Sequence, residues 1–257
     1  MNDVSVYSLS PQGWLLAIVC ALVVGMSKCG MTGLGTLAVP LLASVLPARM
    51  STGALLPMLI MGDAMGVTHF NRHANWKILI RLMPPALIGI FLGYWLLTQP
   101  WLNDTIIRKS IGVIVIVLLI LNHCRDRIRL DIGDGQRINA VGLTVAILFG
   151  ITAGVTTMIA NAAGPIMLIY LLAMNLPKDE FIGTSAWYFL VLNWCKVPLM
   201  VHLGMINRDS IMFNLQLFPA VLVGALLGIA LAQKMSNKSY TIWIQALTFV
   251  AALKLLF

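Results

Sequence analysis

Apolar stretches of membrane-spanning length run through this chain. Residues 111–121 read IGVIVIVLLIL and residues 217–232 read LFPAVLVGALLGIALA, and each needs only short flanks to reach the roughly 20 residues that cross a bilayer. Of the 257 residues, 60% are hydrophobic and 10% are charged, whereas a soluble domain has about 25% charged residues. The sequence therefore predicts an all-α integral membrane protein.

The N-terminal segment lacks the pattern of a cleaved signal peptide. Residues 1–13 contain Asp3 and no Lys or Arg, whereas a signal peptide begins with a basic region. The apolar segment that follows, residues 14–46, is also too long for a signal peptide. We therefore expect this segment to stay in the membrane.

Charge, cysteines and histidines indicate neither nucleic acid nor a cofactor. The formal net charge is +8, which in a membrane protein marks cytoplasmic loops, and no aromatic residues alternate with the basic ones as in nucleic-acid binding. The four cysteines form no CxxC pair, which predicts small core residues. His69 and His73 are one helical turn apart, but they lie at a predicted interface, so we expect no metal site. The sequence has no Walker A motif for ATP.

An internal repeat divides the chain. Residues 25–40 read GMSKCGMTGLGTLAVP and residues 150–165 read GITAGVTTMIANAAGP, so each block opens with glycine and ends with proline. Further on, Asp63 aligns with Asn193, and the pattern P-x4-G-x3-G occurs at residue 84 and again at residue 219. These matches occur in the same order in both halves of the chain, which indicates a duplication.

The repeat predicts the helices of each half. The first repeat is expected at 1–123, with an opening segment at 14–46 and helices at 52–70, 78–97 and 106–121; the second is expected at 141–257, with an opening segment at 141–174 and helices at 182–201, 211–232 and 241–256. A linker at 124–140 joins them. An opening segment of about 33 residues would form a helix of about 50 Å, which exceeds the roughly 30 Å hydrocarbon core. We therefore expect each segment to be an interrupted helical hairpin.

A hairpin followed by three transmembrane helices changes sides an odd number of times, so the two repeats are expected to be inverted. With both termini outside, nine basic residues fall inside: Arg72, Lys77, Arg125, Arg127, Arg129, Arg137, Lys178, Lys234 and Lys238. Five fall outside: Arg49, Arg108, Lys109, Arg208 and Lys254. The excess favours a cytoplasmic linker. Inverted repeats with broken helices are typical of secondary transporters, which bind substrate near the midplane.

The interruptions are candidate anion sites, because the N-terminus of a returning half-helix offers free N–H groups and a partial positive charge. The candidate contacts are Ser27, Thr32, Gly33, Gly35, Thr156, Thr157, Asn161 and Gly164. The alternative is that the small residues allow close helix packing and that the hydroxyl groups bond to their own helix.

Three charged residues fall within these segments. Lys28 lies at the first break, Asp63 lies near mid-depth, and Lys196 lies in the helix related to that of Asp63 by the repeat. A charged group at mid-depth costs at least about 2.5–3.5 kcal/mol. Asp63 could pair with Lys28 or Lys196 to fix helix register, or it could carry a coupling proton while the lysines bind an anion. The two readings are compatible, and Asn193 would add uncharged donors to the same cavity.

The motifs of both halves resemble one family. GMTGLGTLAVPLL (30–42), RHANWK (72–77), MIANAAGPIMLIYLL (158–172), GTSAWYF (183–189) and NWCKVPL (193–199) resemble the TauE/SafE family of sulfite and organosulfonate exporters, also called the toluene-sulfonate uptake permease family. The resemblance implies a non-enzymatic secondary transporter of a small sulfur-containing anion in the bacterial inner membrane. We expect proton-coupled export by alternating access, with protons and the lipid bilayer as further partners.

Two other functions remain open from the sequence. An anion channel of the same fold would have a site that never closes on both sides, and a membrane sensor or scaffold would bind without transporting. A membrane enzyme is disfavoured, because no nucleophile and base or metal cluster occur at one depth. The sequence leaves the anion, the direction of transport and the oligomeric state open, a homodimer included.

Overall fold

Helices account for almost all of the structure. The computed structural model describes residues 7–31, 34–70, 74–124, 140–174, 176–232, 248–250 and 252–256. In chain order the described helices are α1 (Pro11–Lys28), α2 (Gly35–Ala43), α3 (Ala48–Phe70), α4 (Trp76–Thr98), α5 (Asp104–Cys124), α6 (Ala140–Ala160), α7 (Gly164–Ala173), α8 (Lys178–His202) and α9 (Arg208–Ala232). Residues 248–250 and 252–254 are also helical, and none of the described residues is in a strand.

The all-α membrane class predicted from hydropathy is confirmed. Five of the described helices, α1, α3, α4, α6 and α9, are long and apolar enough to cross a membrane. They begin up to four residues before the apolar runs that predicted them, because polar residues at the membrane surface continue the helices. The predicted linker lies largely outside the described residues, as does the first part of the predicted last helix.

Both opening segments are interrupted. The first break separates α1 from α2, and the second separates α6 from α7. Gly30 has φ +141°, which only glycine adopts readily, and Asn161 has φ +50°, a left-handed conformation that asparagine tolerates better than most residues. The returning helices contain 9 and 10 residues, so each is about 15 Å long and reaches roughly halfway across the hydrocarbon core.

The first returning helix folds back along α1. The Sγ of Cys20 donates a hydrogen bond to the carbonyl of Ala38 at 3.4 Å. A Cβ at Gly35, the first residue of α2, would lie 3.1 Å from the Oγ of Ser27. The break therefore turns the chain back on itself at Lys28, the last residue of α1.

Each opening helix packs most closely on the third long helix of the other half, so that α1 lies against α9 and α6 lies against α4. A Cβ at Gly224 would lie 2.2 Å from the carbonyl oxygen of Leu22, and a Cβ at Gly89 would lie 2.2 Å from that of Ile151. Backbones approach this closely only where a glycine leaves room. The two interfaces are built alike.

These matching contacts correct one detail of the sequence alignment. A Cβ at Gly25 would meet Val221, Gly224 and Ala225, and a Cβ at Gly154 would meet Ala86, Gly89 and Ile90 in the same order. Gly25 therefore corresponds to Gly154, one helical turn beyond Gly150, with which the repeat aligned it. In this register Lys28 corresponds to Thr157, and Gly35, which begins α2, corresponds to Gly164, which begins α7.

The glycine contacts predict where a methyl group cannot be added. We expect Gly224→Ala and Gly89→Ala each to destabilise the protein by about 1–3 kcal/mol or more, because the nearest atoms are backbone and cannot move aside. Gly164→Ala is the matched control, because nothing lies within 4 Å of a Cβ there. Thermal unfolding of the three variants in detergent checks this. Equal midpoints for all three would contradict the close packing.

Candidate functional site

An ion pair joins the end of α1 to the middle of α3. The Nζ of Lys28 lies 2.8 Å from the Oδ1 of Asp63. The amide of Asn193 on α8 donates to the Oδ2 of Asp63 at 2.7 Å, and the Lys28 Nζ lies 4.2 Å from the centre of the Phe189 ring, which stabilises a cation. The side chain of Asp63 is 1% exposed and that of Lys28 is 14% exposed, so the pair is shielded mainly around the carboxylate.

Glycines on α3 make room for this end of α1. A Cβ at Gly62 would lie 2.9 Å from the Cγ of Lys28, and a Cβ at Gly66 would lie 2.9 Å from the Lys28 carbonyl oxygen. The Sγ of Cys29 donates to the carbonyl of Gly62 at 3.8 Å. The break can therefore lie directly against α3, where Asp63 meets the lysine.

A second lysine bonds to the other break. The Nζ of Lys196 on α8 donates to the Thr157 carbonyl at 3.0 Å, to the Thr157 Oγ1 at 3.0 Å and to the Asn161 Oδ1 at 2.6 Å. An ammonium group has three donors, so all three are used. Lys196 is fully buried, and its three acceptors are uncharged.

Asn161 connects the second break to α3. Its Nδ2 donates to the carbonyl of Thr52 at 2.8 Å, and the Oγ1 of Thr52 donates to the carbonyl of Ile159 at 3.3 Å. The left-handed backbone of Asn161 thus turns its amide so that it contacts Lys196 on one side and α3 on the other. The amide holds α3, α8 and the break in one network.

Residues at corresponding positions of the neighbouring helix contact the two breaks. In the register given by the helix contacts, Thr157 corresponds to Lys28, and Lys196 corresponds to Gly66, since Asp63 corresponds to Asn193. In one half Gly66 leaves room for the break to approach; in the other Lys196 donates to the equivalent carbonyl, that of Thr157. Each half thus places one lysine at its break, once on the broken helix and once on the neighbouring helix.

The combined network carries more positive than negative charge. Asp63 interacts electrostatically with both lysines, and Lys28–Asp63 is the ion pair found in the described part of the chain. With both lysines charged, the network has an excess of one positive charge. At the second break α7 begins without a side-chain cap, and its first residue, Gly164, is exposed to open space. This arrangement suits an anion.

Several predicted contacts are not brought into the network. The Oγ of Ser27 donates to the Val24 carbonyl at 2.9 Å, and the Oγ1 of Thr156 donates to the Thr152 carbonyl at 2.8 Å. These bonds to their own helices match the alternative stated above. Gly35 packs beside Ser27. Thr32 and Gly33 lie outside the described residues.

Thr156 faces a different space. It lines an apolar groove of about 370 Å³ between α5, α6 and α7, together with Val117, Phe149 and Ile169. The neighbouring residue Thr157 faces Lys196. The two threonines therefore lie on different sides of α6.

Three residues of the network were not predicted from the sequence: Thr52, Gly62 and Phe189. Phe189 had a usable signal, because Phe189, Asn193 and Lys196 follow the spacing i, i+4, i+7 and share one face of α8. Thr52 and Gly62 carried no comparable signal. Thr52 accepts from Asn161 through its backbone, and Gly62 contributes the absence of a side chain.

Comparison with known proteins identifies the family of the chain. A family model described as sulfite exporter TauE/SafE matches residues 17–255. The chain belongs to the sulfite exporter TauE/SafE family. This confirms the resemblance found in the sequence motifs, and it makes the chain a multi-pass membrane protein of a family that transports sulfur-containing anions. Neither a curated protein nor a solved structure matches the chain.

The bridging role of Asn161 predicts a stability effect. We expect Asn161→Ala to destabilise the protein by about 1–3 kcal/mol, because Lys196 loses an acceptor in a buried position. Asn214→Ala is the matched control, since the Nδ2 of the buried Asn214 donates to the carbonyl of Ser210 in its own helix and bridges no other helix in the described part of the chain. Thermal unfolding in detergent compares them. A larger loss for Asn214→Ala would contradict the bridging role.

Proposed function

We propose that this TauE/SafE protein is a secondary active transporter that moves sulfite or an organosulfonate across the bacterial inner membrane, with both termini outside. The observation that carries the proposal is the arrangement of two lysines at two helix breaks beside one carboxylate: Lys28 pairs with Asp63, and Lys196 bonds only to neutral acceptors in the described part of the chain. An excess positive charge in lipid is costly, and a bound anion would balance it.

We propose that the anion binds beside the second break. The uncapped start of α7 and the open space at Gly164 support this position. The Nζ of Lys196 could exchange one of its neutral acceptors for a sulfonate or sulfite oxygen, and a charge-assisted hydrogen bond would be stronger than the one it replaced. The start of α2 would contribute a second partial positive charge.

We propose that Asp63 carries the coupling proton. Protonation would remove the charge that pairs with Lys28 and would raise the excess positive charge from one to two. The Oδ1 of Asn193 is buried and has no partner in the described part of the chain, so the amide could rotate and accept a hydrogen bond from a protonated Asp63. Proton and anion would then favour each other's binding, and the coupling would be reciprocal.

Alternating access would require one group of helices to move against another. The backbones of α1 and α9, and those of α4 and α6, lie too close together for one helix of the pair to slide along the other. We infer that these two pairs move as units and that the polar interface between α3 and α8 rearranges. A divalent anion that moves together with one proton keeps one negative charge, so a negative potential inside the cell favours its export by about 2.3 kcal/mol per 100 mV; we propose export on this ground.

Flux through Asp63→Asn tests the coupling. In proteoliposomes loaded with radiolabelled sulfite or sulfoacetate, we expect a proton gradient to stimulate flux in the wild type but not in Asp63→Asn, because the amide cannot exchange a proton. Asp209→Asn, an exposed acid at the start of α9, is the matched control and should keep the stimulation.

Two results would count against the proposal in different ways. Equal, gradient-independent flux in the wild type and in Asp63→Asn would reduce Asp63 to a structural ion-pair partner and would favour an anion channel. Absence of flux for both anions in the wild type would remove the substrate assignment.

Charge balance gives a second test. Asn161→Asp keeps an acceptor beside Lys196 but adds a negative charge, so it cancels the excess positive charge of the network. We expect at least about tenfold weaker binding of sulfite, measured as the concentration that half-maximally raises the thermal midpoint, because a close charge pair is worth more than 1.4 kcal/mol in a buried site. Unchanged affinity in a folded Asn161→Asp variant would show that the excess charge does not bind the anion.

A further inference from the structure

A half-buried arginine lies outside the network around Asp63 and Lys196. Arg81 is in the second turn of α4, and its Nη1 is buried without a hydrogen-bond partner in the described part of the chain. A guanidinium group offers only donors and stays charged. A buried donor of this kind is costly unless an acceptor reaches it.

A buried tyrosine on α7 lies near this arginine. The hydroxyl of Tyr170 is also buried without a partner in the described residues, and Tyr170 is fully buried. The charge of Arg81 reaches this hydroxyl. Both groups can donate hydrogen bonds to an anion, and neither has an acceptor in the described part of the chain.

The packing of α4 and α7 against the same turn of α6 brings Arg81 and Tyr170 to one level of the structure. A Cβ at Gly150 on α6 would lie 3.2 Å from the carbonyl of Leu82, the residue after Arg81. The neighbouring Phe149 ring lies 6.0 Å from the Tyr170 ring. Three helices therefore converge at the level of the two unpartnered groups.

We propose that Arg81 and Tyr170 form a second oxyanion site, separate from the site at Lys196. The ligand would be a compact group with several anionic oxygens, such as sulfonate, sulfite or phosphate, because a guanidinium fork binds two such oxygens at once and the hydroxyl of Tyr170 can donate to another. A neutral acceptor, such as a single carbonyl group, would accept a hydrogen bond from Arg81 but would leave its charge unbalanced.

The position suggests two sources for this oxyanion. Tyr170 is six residues beyond Gly164, about 9 Å along α7. The start of α4 meets the start of α8, where Asn75 donates to Glu180 and Trp76 contacts Trp187. The site thus lies between one end of the helices and the second break. A soluble anion could occupy it on its way to the break, or a lipid phosphate could reach it from the membrane surface.

Binding by the purified full-length chain in lipid-free detergent tests the site. Sulfoacetate and short-chain phosphatidylglycerol are titrated separately, and affinity is read from the shift of the thermal midpoint and from bound ligands counted by native mass spectrometry. We expect Arg81→Gln to lower the affinity for one of the two ligands by at least about tenfold. Tyr170→Phe should lower the affinity for the same ligand by about fivefold, as expected for lost hydrogen bonds.

Matched variants separate this site from a general effect. Tyr188→Phe removes another fully buried hydroxyl, on α8, that has no hydrogen-bond partner in the described residues, and Arg208→Gln removes an exposed arginine. Both should bind as the wild type does. Asn161→Asp changes the network around Lys196 but neither Arg81 nor Tyr170, so it should bind at the second site as the wild type does. The second site can therefore be confirmed or rejected even if the transport proposal fails.

The outcome identifies the source. Weaker sulfoacetate binding in Arg81→Gln and Tyr170→Phe supports a site for a soluble anion, and weaker phosphatidylglycerol binding supports a site for a lipid phosphate. If both variants bind both ligands as the wild type does, the second site does not exist. Because Tyr170→Phe removes one oxygen atom and keeps the shape, it keeps the test decisive if Arg81→Gln fails to fold.

Discussion

A helix that stops inside a membrane leaves backbone groups that lipid cannot satisfy, and the centre of this structure is arranged around that constraint. At the second break Lys196 donates to the carbonyl of Thr157, and Asn161 donates from the break to α3. At the first break the glycines of α3 let Lys28 and its backbone approach Asp63. The charged residues are therefore explained first by the broken helices, and the anion binding that we propose would use the same contacts.

The two halves solve this problem with different residues at related positions. Lysine is on the broken helix in the first half and on α8 in the second, and Asp63 faces Asn193 across the interface. If both halves had kept an acid, the network would be neutral. With an acid in one half and an amide in the other, the network has an excess of one positive charge when both lysines are charged. The positions at which the two halves differ therefore set the charge of the network, whereas the shared glycines allow the close packing.

Much of this could be predicted from the sequence, and the failures have physical causes. Hydropathy predicted the helices, and segment length predicted the breaks. The alignment of Gly25 with Gly150 was one turn off because Gly150 and Gly154 are four residues apart and lie on the same face of α6. The choice between Lys28 and Lys196 as the partner of Asp63 required helix rotation, which an aligned repeat does not give. The backbone carbonyl of Thr52, which accepts from Asn161, left no trace in the sequence.

The distribution of close contacts also limits how such a protein can move. Where backbones touch, as at Gly224 and Gly89, a small displacement produces a clash, so those helix pairs are stiff. Near Asp63 the contact between α3 and α8 is made by the side chains of Asp63 and Asn193, which can change partners without moving the backbone far. A charge change at Asp63 would act directly on this side-chain contact. The proton coupling that we propose would therefore need no further element than the residues already in contact there.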